Sequence, residues 1–360
     1  MAQMTPQALS HKSLDLLSRL LLASPSDDGD IPQLTRAEFD SLVALADTNH
    51  VLLRGLGAFR DVMQRHGDHV RIQWADTCLT AERVRIDRAI AFFAQICDAF
   101  AECGHRIAVI KSLDHWPDLG SDLDLYTDAK PANVLRVMER EFGARVASRS
   151  WGDRLACKWN FLIAGLPELV EIHVGRLGQT GEQSAIACSL LDRTRAVTVG
   201  RWQFRVPSIS ERLMISTLQR MYRHFYFRLC DILDSAGVVE NGSVDWSDLL
   251  ASATAAGIWE GVATYLAIVS DYLRLYRGTP LPIPHWVMKS ARFRGKEIYF
   301  AKGFLRVPIL PQSAMLYGTQ LAAVIRRRQI QSGARLSLLP WLATAALVGQ
   351  KITGSDKGVW

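Results

Sequence analysis

The sequence predicts an α+β fold in which a small α/β core is set between two helical regions. Residues 1–104 and 207–360 carry apolar side chains at three-and-four spacing, which collects them on one helix face. The middle stretch, 105–206, is instead made of short β-branched or alternating runs divided by turn residues. That is how strands read, because side chains along a strand alternate between its two faces. No internal repeat or low-complexity segment is apparent.

The elements follow in order. "HKSLDLLSRLLLA" and "TRAEFDSLVALADTNHVLLRGLGAFR" read as helices, and "TAERVRIDRAIAFFAQICDAFAECG" reads most strongly, with Thr80 as its cap and Gly104 as its stop. "RIAVIKS", "SDLDLYT", "ARVASRSW", "ACKWNFLIA" and "LVEIHVG" read as strands. One helix interrupts them, "PANVLRVMEREFG", with Pro131 in its first turn and Gly143 closing it. "AVTVGRWQFRVPS" reads as a hairpin turning near Gly200. The helical period then returns in "SERLMISTLQRMYRHFYFRLCDILDSAG", "WSDLLASATAAG" and "IWEGVATYLAIVSDYLRLYRG".

Composition narrows the classes. The chain has 360 residues, 49% hydrophobic and 22% charged, within the ordinary globular range. The formal charge of +6 is concentrated near the end. Between His285 and Arg335 ten Lys or Arg face one acid, Glu297. Such a stretch is either a solvated basic face or a surface for an anionic partner. The six cysteines form no CxxC pair, which argues against a zinc site or disulfide framework and for reduced thiols in the cytoplasm. The N-terminus lacks the pattern of a secretory signal. The apolar run "LSLLPWLATAALVG", Leu336 to Gly349, is shorter than the roughly 20 residues a membrane span needs. A buried helix, or one lying on a membrane surface beside Arg326–Arg328, is expected there.

The chemistry concentrates in "GSDLDLY". Extended backbone puts Asp122 and Asp124 on one face and Leu123 and Leu125 on the other. About 45 residues later, "LVEIHVG" puts Glu171 and His173 on one face and Val170, Ile172 and Val174 on the other. If the two strands are neighbours, three carboxylates converge. Their mutual repulsion calls for a cation, and hard cations such as Mg²⁺ take oxygen ligands and bridge to phosphates.

The order Ile-Lys-Ser, spacer, "GSDLDLY" and then "VEIHV" resembles the nucleotidyltransferase superfamily that includes DNA polymerase beta. Within it the chain is most similar to a bacterial nucleotidyltransferase-like family with a "KG…SDIDLLV…VDLHW" pattern. The resemblance covers about residues 105 to 235. It implies a mixed sheet flanked by helices, two Mg²⁺ (or Mn²⁺) ions, and transfer of a nucleoside monophosphate from an NTP, ATP foremost, to an acceptor hydroxyl. Asp122, Asp124 and Glu171 would be the catalytic, metal-binding carboxylates. Lys111, Ser112, Gly120, Ser121 and His173 would belong to the nucleotide-binding set, the Ser112 amide and hydroxyl holding the β- and γ-phosphates. The acceptor stays open between a small molecule, a protein side chain and an RNA end. The chain departs from the pattern in two places: Lys111-Ser112 stands where a glycine is usual, and the later acid is Glu rather than Asp. A second reading is therefore an adaptor of the same fold with impaired turnover, acting on RNA, protein or a membrane surface.

Other candidates are weaker. Asp114, His115 and Asp118 read as solvated residues of the spacer loop. Lys158 and Asn160 share a strand face that could border the cleft. Arg220, Arg223, His224 and Arg228 form a helical stripe, either closing over a triphosphate or ion-paired with Asp231 and Asp234. "RFRGK" at 292–296 interleaves charge with an aromatic, as single-strand binders do.

Overall fold

The computed structural model describes residues 6–23, 31–342, 344–345 and 348. Four helices come first: α1 (Pro6–Leu22), α2 (Arg36–Thr48), α3 (Leu52–Arg65) and α4 (His69–Glu102). Thr35 and Glu38 start α2 with a reciprocal capping box. Thr80 does not begin a helix. It lies inside α4, whose 34 residues are capped by Asp68 accepting from the Arg71 N–H. Buried Ala75 and Leu79 carry the apolar stripe back past Thr80, so the helix begins well before it. Gly104, at φ +72°, turns the chain out of α4.

The core sheet contains β1 (Ile107–Val109), β2 (Asp122–Thr127), β3 (Arg145–Val146), β4 (Lys158–Leu162) and β5 (Leu169–Val174) in the order β1-β2-β5-β4-β3. Only β2 and β5 run parallel, so the sheet is mixed. Helix α5 (Pro131–Phe142) crosses over after β2, with Pro131 at its start and Gly143 in a left-handed cap. The strand expected over "ARVASRSW" pairs only at Arg145 and Val146. Ser150 and Asp153 then form a capping box that opens α6 (Trp151–Leu155). Helix α7 (Ser184–Ser189) precedes the hairpin of β6 (Thr194–Val199) and β7 (Trp202–Pro207), which turns at Gly200, φ +57°.

Each face of the sheet has its own core. Leu123, Leu125, Val170 and Ile172 pack against Phe93 and Phe100 of α4 and Val134 and Met138 of α5. On the opposite face Ala108, Ile110 and Tyr126 join a core shared by α1–α3 and the C-terminal helices. The two helical regions are therefore packed together rather than hung separately on the sheet. A 2.6 Å hydrogen bond between Ser18 and Tyr272 crosses between them.

The C-terminal region is not wholly helical. The helix expected from Ser210 to Gly237 is broken in the middle. Helix α8 (Ile209–Thr217) runs into a wide turn at Leu218–Arg223, then β8 (Tyr226–Phe227), then α9 (Leu229–Glu240). Phe225 takes φ +54°, which ends the helix. The helices α10 (Trp246–Ala255), α11 (Trp259–Arg277) and α12 (His285–Ser290) follow. Then β9 (Tyr299–Ala301) and β10 (Phe304–Arg306) add to β8 in a three-stranded antiparallel sheet ordered β8-β10-β9. Buried Asn49 ties this region to the N-terminal helices. Its side chain donates to Gly303 O at 3.0 Å and accepts from Leu229 N at 3.1 Å.

Helices α13 (Ala314–Arg326) and α14 (Ile330–Ser337) come last. The basic segment is partly neutralised: Arg292 pairs with Glu260 and Arg294 with Asp271. Arg326, Arg327 and Arg328 are exposed. Of the apolar run after Leu336, residues 343, 346–347 and 349 lie outside the described residues. Leu336 is buried and Trp341 is exposed. Among the described residues no helix is long and apolar enough to cross a membrane.

Candidate active site

The parallel pairing of β2 with β5 sets Asp124 directly beside Glu171 and Tyr126 beside His173. Adjacent strands lie about 4.8 Å apart, so the two carboxylates share one patch. Leu123, Leu125, Val170 and Ile172 are fully buried on the far side. That fixes the register, since a one-residue slip would drive the acids into the core. Asp122, two residues before Asp124, opens the same face toward solvent.

The patch already holds two ammonium groups. Lys111 Nζ lies 2.5 Å from Asp124 Oδ1 and 3.6 Å from Glu171 Oε1. Lys158, from β4, lies 2.9 Å from Glu171 Oε2 and 2.8 Å from Asp153. His173 Nε2 adds a 2.8 Å contact to Glu171 Oε1. Asp122 has no hydrogen-bond or ion-pair partner for its carboxylate among the described residues. The proton affinities divide accordingly. Desolvation, then the charges of Asp124 and Glu171, push the Asp122 carboxyl up to about 6. Burial would raise Glu171 as well, but Lys111, the His173 hydrogen bond and Lys158 hold it well below the usual carboxylate range.

Lys111 is placed by an unusual turn. Its backbone sits at φ +62°, ψ −59°, with the Ser112 N–H donating to Ile110 O at 2.6 Å. This is a γ-turn of the rare, strained hand. The Ser112 hydroxyl donates to Asp122 O at 3.1 Å and accepts from Asp124 N at 2.9 Å. Both the amide and the hydroxyl of Ser112 are thus engaged within the fold, and Ser112 lines the cavity beside Lys111. Gly120 lines the cavity, where a Cβ would come within 2.9 Å of the His50 ring; Ser121 lines it too. His173 is buried and faces a neighbouring small apolar space beside Leu177 and Tyr222.

The facing wall is cationic. Gln219, Arg220, Arg223, His224, Tyr226 and Arg228 close a cavity of about 170 Å³ over Asp122, Asp124 and Glu171. Arg220 is buried and paired with Asp231 at 2.8 Å. Arg223 and Arg228 form no ion pair with a carboxylate among the described residues. Arg228 Nε is buried without a hydrogen-bond partner. Burial, then the arginine charges, keep His224 well below its ordinary range, and burial with Arg228 pushes His50 down to about 2. The broken helix matters here, because the turn at 218–223 and β8 bring these side chains over the sheet. A more open space of about 410 Å³, shared at His50, Gly120, Ser121 and Arg228, continues past Arg85, Glu168 and Phe304.

The spacer residues are not solvated. Asp118 is 1% exposed and accepts from Leu53 N and Arg54 Nε, each at 2.6 Å. Arg54 also binds Asp234 at 2.7 Å, and Asp234 holds His115 Nδ1 at 2.5 Å. Asp114 pairs with Arg212. Partners more than sixty residues away in sequence give a loop reading nothing to detect.

Among the described residues two groups of donor atoms lie close enough to hold a metal ion: Asp124, Glu171 and His173, and His50, His115 and Cys230. A hard cation suits the first patch, where Asp122 and the free Oδ2 of Asp124 offer oxygen. No protein-family model matches the chain, and no curated protein matches it.

Proposed function

We propose that the protein is a metal-dependent nucleotidyltransferase with a polymerase-beta-like core, moving a nucleoside monophosphate from an NTP to an acceptor hydroxyl with release of pyrophosphate. The observation that carries this reading is one cavity with carboxylates on the sheet wall and unpaired arginines opposite. Asp122 and Asp124 would hold the divalent cation. Bound there, it would stabilise charge on the phosphate oxygens. Arg223 and Arg228 would take the phosphates, since guanidinium forks match phosphate oxygens in pairs. Glu171 is a poor proton acceptor, so its part is positional: it fixes Lys111, Lys158 and His173. The adjoining open space gives the acceptor a way in.

The test is transfer of label from α-labelled NTPs, with Mg²⁺, to components of a cell extract. Label that moves with the wild type and not with Asp122→Ala/Asp124→Ala supports the reading. Equal labelling by both proteins, or none, removes it. The adaptor reading is favoured by one observation, Lys111 already seated between two acids. It expects NTP–Mg²⁺ binding without transfer, or a stable complex with a macromolecule and no nucleotide effect.

A further inference from the structure

The resemblance implies two metal ions, and the side chains at the patch leave oxygen donors for one. Both oxygens of Glu171 are engaged: Oε2 by Lys158 at 2.9 Å, and Oε1 by His173 at 2.8 Å with Lys111 at 3.6 Å. Asp124 Oδ1 is engaged by Lys111 at 2.5 Å. What is left is the Asp122 carboxylate and Asp124 Oδ2, adjacent on one strand face. A pair of ions about 3.5–4 Å apart would have to share these carboxylates, and an ammonium group already lies between two of them.

Lys111 is built into that position. The γ-turn fixes its backbone at φ +62°. Ile110 N donates to Asp124 O at 3.0 Å, and Ser112 bonds the backbone of both Asp122 and Asp124. The lysine is thereby anchored on each side to the strand that carries its partner acids. Its side chain is 12% exposed, and swinging it out would leave Asp124 and Glu171 facing each other. A backbone conformation unfavourable for a non-glycine residue is held where it aims an ammonium at two carboxylates.

We infer that the site takes a single divalent cation, on Asp122 and Asp124, and that Lys111 supplies the positive charge that a second ion would bring. This rests on the nucleotidyltransferase reading and sharpens it. Lys111 matches the lysine of the family's pattern, and the departure from its glycine falls at Ser112, whose hydroxyl ties the lysine's turn to the strand of acids. Lys111 is here a positioning residue: it orders Asp124 and Glu171 and leaves one vacancy in the charge balance, at Asp122.

Electron paramagnetic resonance of the full chain with Mn²⁺ and ATP tests this, read together with Mn²⁺ stoichiometry from equilibrium dialysis corrected for the nucleotide. One bound ion with the spectrum of an isolated centre is expected for the wild type. Lys111→Gly, which also relieves the turn, should bind a second ion and give the broadened signal of a close pair. Lys111→Met, which keeps the bulk, should do so more weakly; thermal melting confirms that each variant is folded. A close pair in the wild type overturns the inference and leaves the nucleotidyltransferase reading standing. A single ion in the wild type and in both folded variants also overturns it. No bound ion with ATP removes both.

Discussion

Ser112 Oγ accepts a hydrogen bond from the backbone N–H of Asp124 at 2.9 Å and donates to the carbonyl of Asp122 at 3.1 Å. One hydroxyl therefore fixes the strand on both sides of Leu123, and with it the direction of both aspartates. Ser112→Ala would leave a buried N–H and a carbonyl short of a partner, a loss of about 1–3 kcal/mol. Chemical denaturation should show that drop in stability. Mg²⁺-dependent ATP binding should weaken more than in a surface control of equal stability, because the aspartates lose their register.

Asp122 gives a pH signature. Its carboxyl is raised to about 6 in the fold, against about 3.9 in an unfolded chain. The folded state thus binds the proton more tightly. The group's stabilising contribution is full below about pH 4 and is lost as pH rises through about 6. Asp122→Asn, which stays neutral, should melt higher than the wild type at pH 7.5 without metal. The difference should shrink between pH 6 and 4 and vanish below. A difference unchanged from pH 7.5 to 4 would contradict the assignment.

The cationic wall separates into an arginine paired with a buried acid and two that the proposed function assigns to phosphate. Arg220 is buried against Asp231, so Arg220→Met should destabilise the fold by about 3–5 kcal/mol through the stranded carboxylate. Arg223→Ala and Arg228→Ala strand no acid. Each should leave melting close to the wild type while weakening ATP–Mg²⁺ binding by about tenfold or more, the worth of a charge-assisted hydrogen bond. Isothermal calorimetry distinguishes the two classes.

Arg54 joins Asp118 and Asp234 behind the cavity. Arg54→Met leaves buried Asp118 without its cation and Asp234 with His115 alone, and a loss of about 3–5 kcal/mol is expected by denaturation. Raising the proton concentration should recover part of it, since protonated acids need no counter-charge.

The carboxylate wall was legible because alternation is local: "SDLDLYT" and "LVEIHV" declare their two faces without reference to any other segment. The mixed α+β class was legible for the same reason. The cationic wall was read as a stripe on one helix, whereas Phe225 breaks that helix and β10 captures the strand that results. Nothing near residue 226 announces a partner near residue 305. The spacer acids were misread because their arginines come from α3 and α8. The Lys111 turn has no local signal in the sequence; its conformation depends on the hydrogen bonds of Ile110 and Ser112 to β2.

Asn49 carries a consequence for how the chain can be divided. By gripping Gly303 and Leu229 together, it makes the N-terminal helices the abutment for the cationic wall, while the carboxylate wall stands on the central sheet. The span between the two walls is therefore set by segments from both ends of the sequence. A fragment of residues 105–206 would keep all three acids and lose every arginine that faces them. The cavity draws its lining from His50 to Arg228 and its bracing from as far as Gly303, so its two walls are not the property of any one contiguous unit.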